Sequence, residues 1–295
     1  MIVRDRSAAS VGFDIANHVV LGLLAFTAIM PLIHMLAVSL SSSAAATANR
    51  VTFVPIDFHL EAYRYILNSS LFLNSFGISV LRVLVGVTVN MTLITLTAYP
   101  LTRESEELRG RNVIMWFFFF TLLFNGGLIP TFLMVRSLGL LNRFMALVLP
   151  IALPVYSMII MMNFFRGLPK SLYESALIEG ASHWTILLRI FVPLAKPAIA
   201  TLSLFSIVLH WNEWFMGMIY LNDYFKWPLQ TYLRQLLINV DFSRLTLEDI
   251  ELLRRVSNRT FILAQLFVAT LPILAVYPFL QRYFVKGIVL GSVKE

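Results

Sequence analysis

The stretch that decides the fold runs from Pro169 to Pro197 and reads PKSLYESALIEGASHWTILLRIFVPLAKP. It is a polar connection between two apolar runs that are each long enough to cross a bilayer. Apolar side chains recur at helical spacing on both sides of Gly180, and glycine commonly ends a helix. We therefore predict two short helices joined at a turn, the second closed by Pro193, lying at the membrane surface.

The two predicted helices each present one apolar face, and the turn between them carries small side chains. The first face is Leu172, Tyr173, Ala176 and Leu177, and the second is Trp184, Leu187, Leu188 and Phe191. The small side chains near the tip are Ser175, Ala176, Ala181 and Ser182. Such a tip would let the surface of another protein come close.

The composition is that of a membrane protein. Of the 295 residues 58% are hydrophobic and 13% are charged, and the mean hydropathy is +0.78. Soluble domains are about 45–50% apolar and about 25% charged. The net charge is +7, but no basic patch interleaved with aromatics is present, so no nucleic-acid partner is predicted. The chain has no cysteine, which excludes disulfides and thiolate metal sites.

The sequence predicts an all-α, polytopic membrane protein with six transmembrane helices, because a bilayer core needs about 20 helical residues. The apolar runs are 18–40, 71–101, 113–135, 144–165, 194–221 and 260–279. The third run is predicted to break at Asn125-Gly126-Gly127 and Pro130, and the fourth contains Pro150 and Pro154. The predicted organisation is an N-terminal tail (1–17), a first helix (18–40), a five-helix core (71–281) that includes the loops 169–197 and 222–259, and a C-terminal tail (282–295).

The stretch at 169–197 also carries a spaced motif. Glu174-Ser175-Ala176 is followed by Gly180, Ile190 and Val192-Pro193. This spacing resembles the cytoplasmic loop of permease subunits of bacterial ABC importers, which reads E-A-A, three residues, G, nine residues, I, one residue, L-P. Ser175 and Val192 depart from the pattern but keep its side-chain size. In that family the loop forms a coupling helix in a groove of the ATPase subunit. The resemblance thus implies an ATPase-coupling role for Glu174, Ser175, Ala176, Gly180, Ala181, Ile190 and Pro193.

The resemblance extends over nearly the whole chain. The chain is similar to carbohydrate importer permeases of the maltose-permease-like superfamily. Within that superfamily it most resembles the permeases for oligosaccharides and polysaccharide fragments, including alginate-type, lipoprotein-assisted systems. The similar segments are Ala98–Arg103, Gly126–Thr131, Leu138–Asn142, Trp211–Trp214, Trp227–Gln230 and Tyr283–Gly287. The resemblance implies a type I permease core, multi-pass in the bacterial cytoplasmic (inner) membrane, with both termini and the loop 169–197 in the cytoplasm. The positive-inside rule favours that orientation only weakly.

The same resemblance implies the partners. They are a second homologous permease, two ATPase subunits, an extracytoplasmic solute-binding protein and the lipid bilayer. ATP and magnesium would bind the partner ATPase, and no cofactor is implied in this chain. The loop 222–259 either faces the binding protein or is a solvated loop. The tail from Lys286 to Glu295 is implied to reach between the ATPase subunits.

Two charges, Arg82 and Glu213, fall at membrane depth, where one charge costs about 2.5–3.5 kcal/mol on insertion scales. On a continuous fifth helix, Ser203, Ser206, His210, Glu213 and Gly217 would share one face. One interpretation is a translocation path, formed by Arg82, His210, Trp211, Asn212, Glu213 and Trp214, with Trp211, Trp214 and Tyr220 stacking on sugar rings. The other is structural: Arg82, Asn90 or a partner subunit satisfies Glu213 and His210. A pair between Arg82 and Glu213 is a hypothesis of the second kind.

Catalysis is not indicated. The chain lacks a Gly-x-x-x-x-Gly-Lys phosphate loop, and its five histidines show no HExxH spacing. The predicted function is that of a non-catalytic permease subunit which, with a second permease, forms the path for an oligosaccharide. The alternative is a secondary transporter with Glu213 and His210 as a proton relay. That class usually contains an inverted repeat, and no repeat is found.

Overall fold

The computed structural model describes residues 8–104, 106–238 and 258–292. These residues form helices joined by turns and loops, and no strand occurs among them. The chain divides into two compact units, one of residues 1–69 and 235–271 and the other of residues 70–234 and 272–295.

The first unit contains α1 (Ala8–Ser39), α2 (Ser43–Thr47), α3 (Glu61–Asn68) and the first part of α14 (Asn258–Ser292). Its buried cluster consists of Ala37, Val38, Ala45, Ala46 and Val51, with Leu263 of α14 against it. The ring of Tyr65 meets that of Phe261 edge to face at 4.7 Å. Helix α1 begins at Ala8, so it includes part of the predicted tail. Helix α14 likewise continues beyond the predicted span to Ser292.

The second unit is built around α4, which packs against α7 and α11. Its helices are α4 (Ser70–Leu101), α5 (Arg111–Leu123), α6 (Leu128–Ser137), α7 (Val155–Arg166), α8 (Lys170–Ile178), α9 (His183–Ile186), α10 (Val192–Leu194), α11 (Lys196–Asn212), α12 (Phe215–Tyr220) and α13 (Leu229–Ile238). Shorter 3-10 turns cover Phe144–Leu147, Leu149–Ile151 and Tyr224–Lys226, and a π-helical turn covers Leu187–Phe191. The buried cluster between α4, α7 and α11 includes Ile94, Ala98, Met158, Met161 and Leu202.

Among the described residues, three helices are long and apolar enough to cross a membrane: 10–39 of α1, all of α4, and 259–276 of α14. Three bent pairs of helices in the same part of the chain pass the test together, which gives up to six spans if each pair is one span. The helices α5 and α6 meet at 117°, and the break lies at 124–127, where the glycine pair predicted it. The pair Phe144–Ile151 and Val155–Arg166, which corresponds to the fourth predicted span, bends by 51° beside the predicted prolines.

The fifth span differs from its prediction as a continuous helix over 194–221. Helix α11 begins at Lys196 after a 79° bend and ends at Asn212, and α12 begins only at Phe215. The loop predicted at 222–259 contains α13, whose apolar residues Leu229, Tyr232 and Leu233 are buried at helical spacing. The charged residues predicted between Asp241 and Arg255 lie outside the described residues.

Candidate functional site

The predicted hairpin at 169–197 is confirmed as two helices around a glycine turn. Helix α8 ends at Ile178, and Gly180 follows with φ +75°, a conformation that costs other residues a steric clash. The backbone N–H of Gly180 donates to Leu177 at 2.9 Å, and that of Ala181 donates to Ala176 at 2.9 Å. This closure satisfies the last carbonyls of the helix, as in other helices that end on a left-handed glycine.

Neither apolar face of the hairpin is buried as a whole. Tyr173, Ala176, Leu187 and Phe191 pack inward, whereas Leu172, Leu177, Trp184 and Leu188 are exposed. Ala176 is only 6% exposed, so it does not lie on the outer surface of the tip as its small size had indicated. Ile178, by contrast, is 88% exposed. The outward surface of the hairpin therefore includes apolar side chains that no described residue of this chain covers.

The residues with a predicted coupling role likewise differ in their exposure to solvent. Glu174, Ser175, Gly180 and Pro193 are exposed, Ala181 and Ile190 are half-buried, and Ala176 is buried. The prediction that Pro193 closes the second helix is confirmed to within two residues. Pro193 lies in the last turn of a helical stretch that runs from His183 to Leu194, and the bend comes at Ala195.

An arginine joins the hairpin to the end of α4. The guanidinium carbon of Arg103 lies 3.6 Å from the ring centroid of Tyr173 and 4.9 Å from that of Tyr99. The Tyr99 ring meets Phe191 edge to face at 5.2 Å, and its hydroxyl lies 3.4 Å from Nδ1 of His183. A cation over an aromatic face stabilises by about 0.5–2 kcal/mol, most where water is excluded.

No pattern in the sequence predicts this contact. Arg103 is only the last residue of a segment similar to the permease family, and Tyr173 is only one residue of a predicted apolar face. The two lie on separate connections, so no local spacing relates them. Their neighbours Glu104 and Lys170 form an exposed ion pair of 2.7 Å. Its hydrogen bond lowers the pKa of Glu104 and raises that of Lys170.

Within the membrane-spanning part, the hypothesis of an Arg82–Glu213 pair is confirmed. Nη2 of Arg82 lies 2.7 Å from Oε2 of Glu213, and the two side chains are 0% and 15% exposed. Nη1 of Arg82 also donates to the Glu213 carbonyl at 2.9 Å, and Nη2 donates to the Leu147 carbonyl at 3.1 Å. The guanidinium therefore holds α4, the 3-10 turn at 144–147 and the end of α11 together.

Glu213 also shapes the break between α11 and α12. Its Oε1 accepts from the N–H of Met216 at 2.7 Å, which satisfies a free donor at the start of α12. The carbonyl of Trp214 accepts from Thr231 at 2.8 Å. The predicted shared face from Ser203 to Gly217 does not form, because the helix ends before Glu213.

His210 is buried against Gly86 of α4. A Cβ placed on Gly86 would lie 2.3 Å from Nε2 of the ring, so only glycine leaves room for it. Neither ring nitrogen has a hydrogen-bond partner within the described part of the chain. The amide of Asn90, oriented to satisfy its hydrogen bonds, donates to the Gly86 carbonyl at 2.9 Å and accepts from Ser206 at 3.2 Å. Asn90 thus bonds Ser206 rather than His210.

The other residues of the predicted translocation path differ in exposure. Trp211 is buried, with its ring edge to face with Phe76 at 5.7 Å. Tyr220 is also buried, and Trp214 is half-buried beneath the guanidinium of Arg234 at 5.0 Å. Asn212 is exposed. In this structure Asn212 is the residue of the set most open to a passing molecule, and the role of the set in a path stays a prediction.

The chain is similar to known proteins over nearly its whole length. Residues 101–290 match the family described as "Binding-protein-dependent transport system inner membrane component". The polygalacturonan/rhamnogalacturonan transport system permease protein YtcP of Bacillus subtilis (strain 168) is 41% identical over 282 residues, which cover 96% of this chain and 98% of that protein. Protein LplC of the same organism is 41% identical over 284 residues, 96% of this chain and 95% of that protein.

A solved structure is similar over the same extent. A chain of a bacterial ABC transporter involved in the import of the acidic polysaccharide alginate matches with a TM-score of 0.87 and 34% identity. The match covers 95% of this chain and 99% of that one. The fold is therefore that of an ABC importer type I permease, multi-pass in the inner membrane. The chain belongs to the family of inner-membrane components of binding-protein-dependent transport systems.

Proposed function

We propose that this chain is the non-catalytic permease subunit of an ATP-driven importer for oligosaccharides, with fragments of acidic polysaccharides as the first substrates to test. The single observation that carries the coupling mechanism is the hairpin at 170–194, whose tip has an exposed apolar surface and keeps the spacing of the coupling motif. The substrate class rests on relatives whose names specify polygalacturonan, rhamnogalacturonan and alginate.

The proposed assembly contains a second homologous permease, two ATPase subunits and an extracytoplasmic solute-binding protein. ATP and magnesium bind the ATPase subunits, and this chain supplies no catalytic group. The hairpin and both termini lie in the cytoplasm, and the segment that begins at Asn222 faces the binding protein. The residues predicted to couple, Glu174 to Pro193, contact the ATPase through their exposed members.

A proton-coupled mechanism through Glu213 and His210 has less support. The Glu213 carboxylate is already paired with Arg82 and capped by the Met216 N–H. A proton relay needs a carboxylate whose oxygens are open to exchange, whereas Arg82 and the Met216 N–H hold both oxygens of Glu213 in this structure.

Crosslinking tests the coupling, because the chain has no cysteine of its own. Ile178→Cys and Ser182→Cys place thiols on exposed positions of the hairpin, and Ala176→Cys is the matched buried control. With single cysteines on the co-expressed ATPase, the two exposed positions should crosslink in a nucleotide-dependent way, and the control should not. No crosslink at either exposed position, with all subunits present in the membrane, would contradict the proposed coupling.

Import tests the substrate class separately. Vesicles with the complete transporter and its binding protein would be offered oligogalacturonate, alginate oligosaccharide or arabino-oligosaccharide. The proposal expects ATP-dependent uptake of an acidic oligosaccharide. Uptake of the neutral sugar alone would contradict the acidic class but leave the importer mechanism intact.

A further inference from the structure

The hairpin is joined by the chain to α7 and α11, but not to α4. Helix α4 ends at Leu101, and the hairpin begins at Lys170. Helix α4 packs against both α7 and α11 and carries the buried Arg82. A displacement of the hairpin therefore reaches the end of α4 directly only through side-chain contacts.

Those contacts include an aromatic cluster around one cation. Tyr99 of α4 meets the ring of Phe191 edge to face at 5.2 Å, and its hydroxyl lies 3.4 Å from Nδ1 of His183. The Arg103 guanidinium stacks on Tyr173 of α8 at 3.6 Å and lies 5.4 Å from the ring of Phe191, so it contacts both arms of the hairpin. A further cytoplasmic link, between Lys170 and Glu104, is exposed on both sides. Exposed pairs of this kind are weak and screened by salt.

Open space lies on either side of the stack. One cavity of about 620 Å³ is lined by residues of the 102–111 connection and of 165–177, and another of about 570 Å³ is lined by Tyr99, Pro100, His183 and Trp184 among others. Arg103 and Tyr173 line both cavities. They form part of the wall between the two spaces, beside the buried cluster that α4 and the hairpin share.

We propose that Arg103 is a positioning residue that transmits movement of the hairpin to α4 through its stack on Tyr173. This inference rests on the proposed function, since an ATPase must move the hairpin. Arg103 contacts neither sugar nor nucleotide in this role. A planar guanidinium that faces one ring and lies near two others resists both sliding and separation better than a single apolar contact.

The test measures movement of α4 without any sugar. Leu73→Cys places a single thiol on an exposed position in the first turn of α4, at the end remote from Arg103. In the complete transporter, its rate of maleimide labelling is compared with and without ATP and magnesium. The nucleotide-dependent change in rate should fall about 2- to 30-fold in Arg103→Ala, the range for one lost cation–π contact. It should be partly restored in Arg103→Lys.

Two further variants separate transmission from folding. Arg109→Ala removes an exposed arginine from the same connection and should behave as the parent protein. Tyr173→Phe keeps the ring face and should retain the response, whereas Tyr173→Leu should lose it. Labelling is compared only for variants with which the ATPase co-purifies. If Arg103→Ala does not assemble, the comparison of Tyr173→Phe with Tyr173→Leu tests whether the stack transmits movement.

The outcomes distinguish this inference from the proposed function. If neither Ile178→Cys nor Ser182→Cys shows a nucleotide-dependent crosslink, the coupling itself fails. If that crosslink is present but the labelling of Leu73→Cys ignores nucleotide, or if it responds equally in Arg103→Ala and the parent, then Arg103 does not transmit movement to α4.

Discussion

Removing both partners of the Arg82–Glu213 pair should cost less than the sum of the two single removals. Arg82→Met leaves the Glu213 carboxylate 15% exposed and without its cation. Glu213→Gln keeps an amide oxygen that can accept from Arg82 and from the Met216 N–H, so it is the milder change. The double variant leaves no stranded charge.

The magnitudes follow from the contacts. Breaking a buried pair by loss of one partner costs about 3–5 kcal/mol, which is the expectation for Arg82→Met. Glu213→Gln weakens charge-assisted hydrogen bonds and should cost about 1.5–3 kcal/mol. Because the ion pair is lost in either single variant, the double variant should be less destabilised than the sum, by about 1.5–3 kcal/mol.

The assay is the apparent free energy of unfolding of the purified permease in lipid–detergent micelles, followed by loss of helical circular dichroism as sodium dodecyl sulfate is added. All four proteins of the cycle are measured in the same micelles. Additivity within about 0.5 kcal/mol would refute the reasoning, since independent sites add to that accuracy.

Exchanging the two charges is a poorer test than deleting them. Arg82 donates to the carbonyls of Glu213 and Leu147 as well as to the carboxylate. A glutamate at position 82 has no donor for these carbonyls when it is ionised. We therefore expect the exchanged protein to remain defective even though the pair exists.

Three further changes test other parts of the structure. Gly86→Ala should destabilise the protein by about 1–3 kcal/mol in the same denaturation assay, because the added methyl group overpacks against the imidazole of His210. Gly77→Ala, which has open space around it, should not destabilise, and equal effects of the two changes would exclude overpacking. Gly180→Ala should slow ATP-driven import because φ is +75° there, and Gly180→Asn should be milder; a fully active alanine variant would show that the turn tolerates strain. Glu104→Gln should have a small effect on import at low salt and none at high salt. Because the pKa of Glu104 is lowered, its pair persists above the ordinary carboxylate pKa and is lost only as pH falls through the lowered value. The small effect of Glu104→Gln should therefore be the same at about pH 6 and 8, and a change with pH in that range would contradict the interpretation.

The parts of the fold that the sequence predicts are those with local causes. Apolar runs of sufficient length predict the spans, because burying backbone in a bilayer requires helices. The glycine pair before Leu128 predicts the break between α5 and α6, and Gly180 predicts the turn of the hairpin. In each of these two places, the glycine itself lies where the helix is interrupted.

The parts that were missed have causes elsewhere in the chain. Neither glycine nor proline marks the end of α11, where the carboxylate of Glu213 caps the next helix and Arg82 holds its carbonyl from another element. Contacts between distant segments override local helix propensity there. The contact between Arg103 and Tyr173 is missed for the same reason. Helix α13 did have a local signal, the helical spacing of Leu229, Tyr232 and Leu233.

The contacts of Arg82 and Arg103 are connected by one helix, α4. Arg82 lies within α4, and Arg103 follows its last residue by two positions. At 1.5 Å per residue, the helix from Arg82 to Leu101 rises about 28 Å, close to the thickness of a bilayer core. No residue of that stretch breaks the helix before Pro100 in its last turn. A tilt imposed at Arg103 would therefore move Arg82, and with it the carbonyls of Leu147 and Glu213, so that the break between α11 and α12 shifts when the hairpin shifts. Arg82 joins three elements through its ion pair with Glu213 and the carbonyls of Leu147 and Glu213, contacts that an apolar side chain of the same length would not provide.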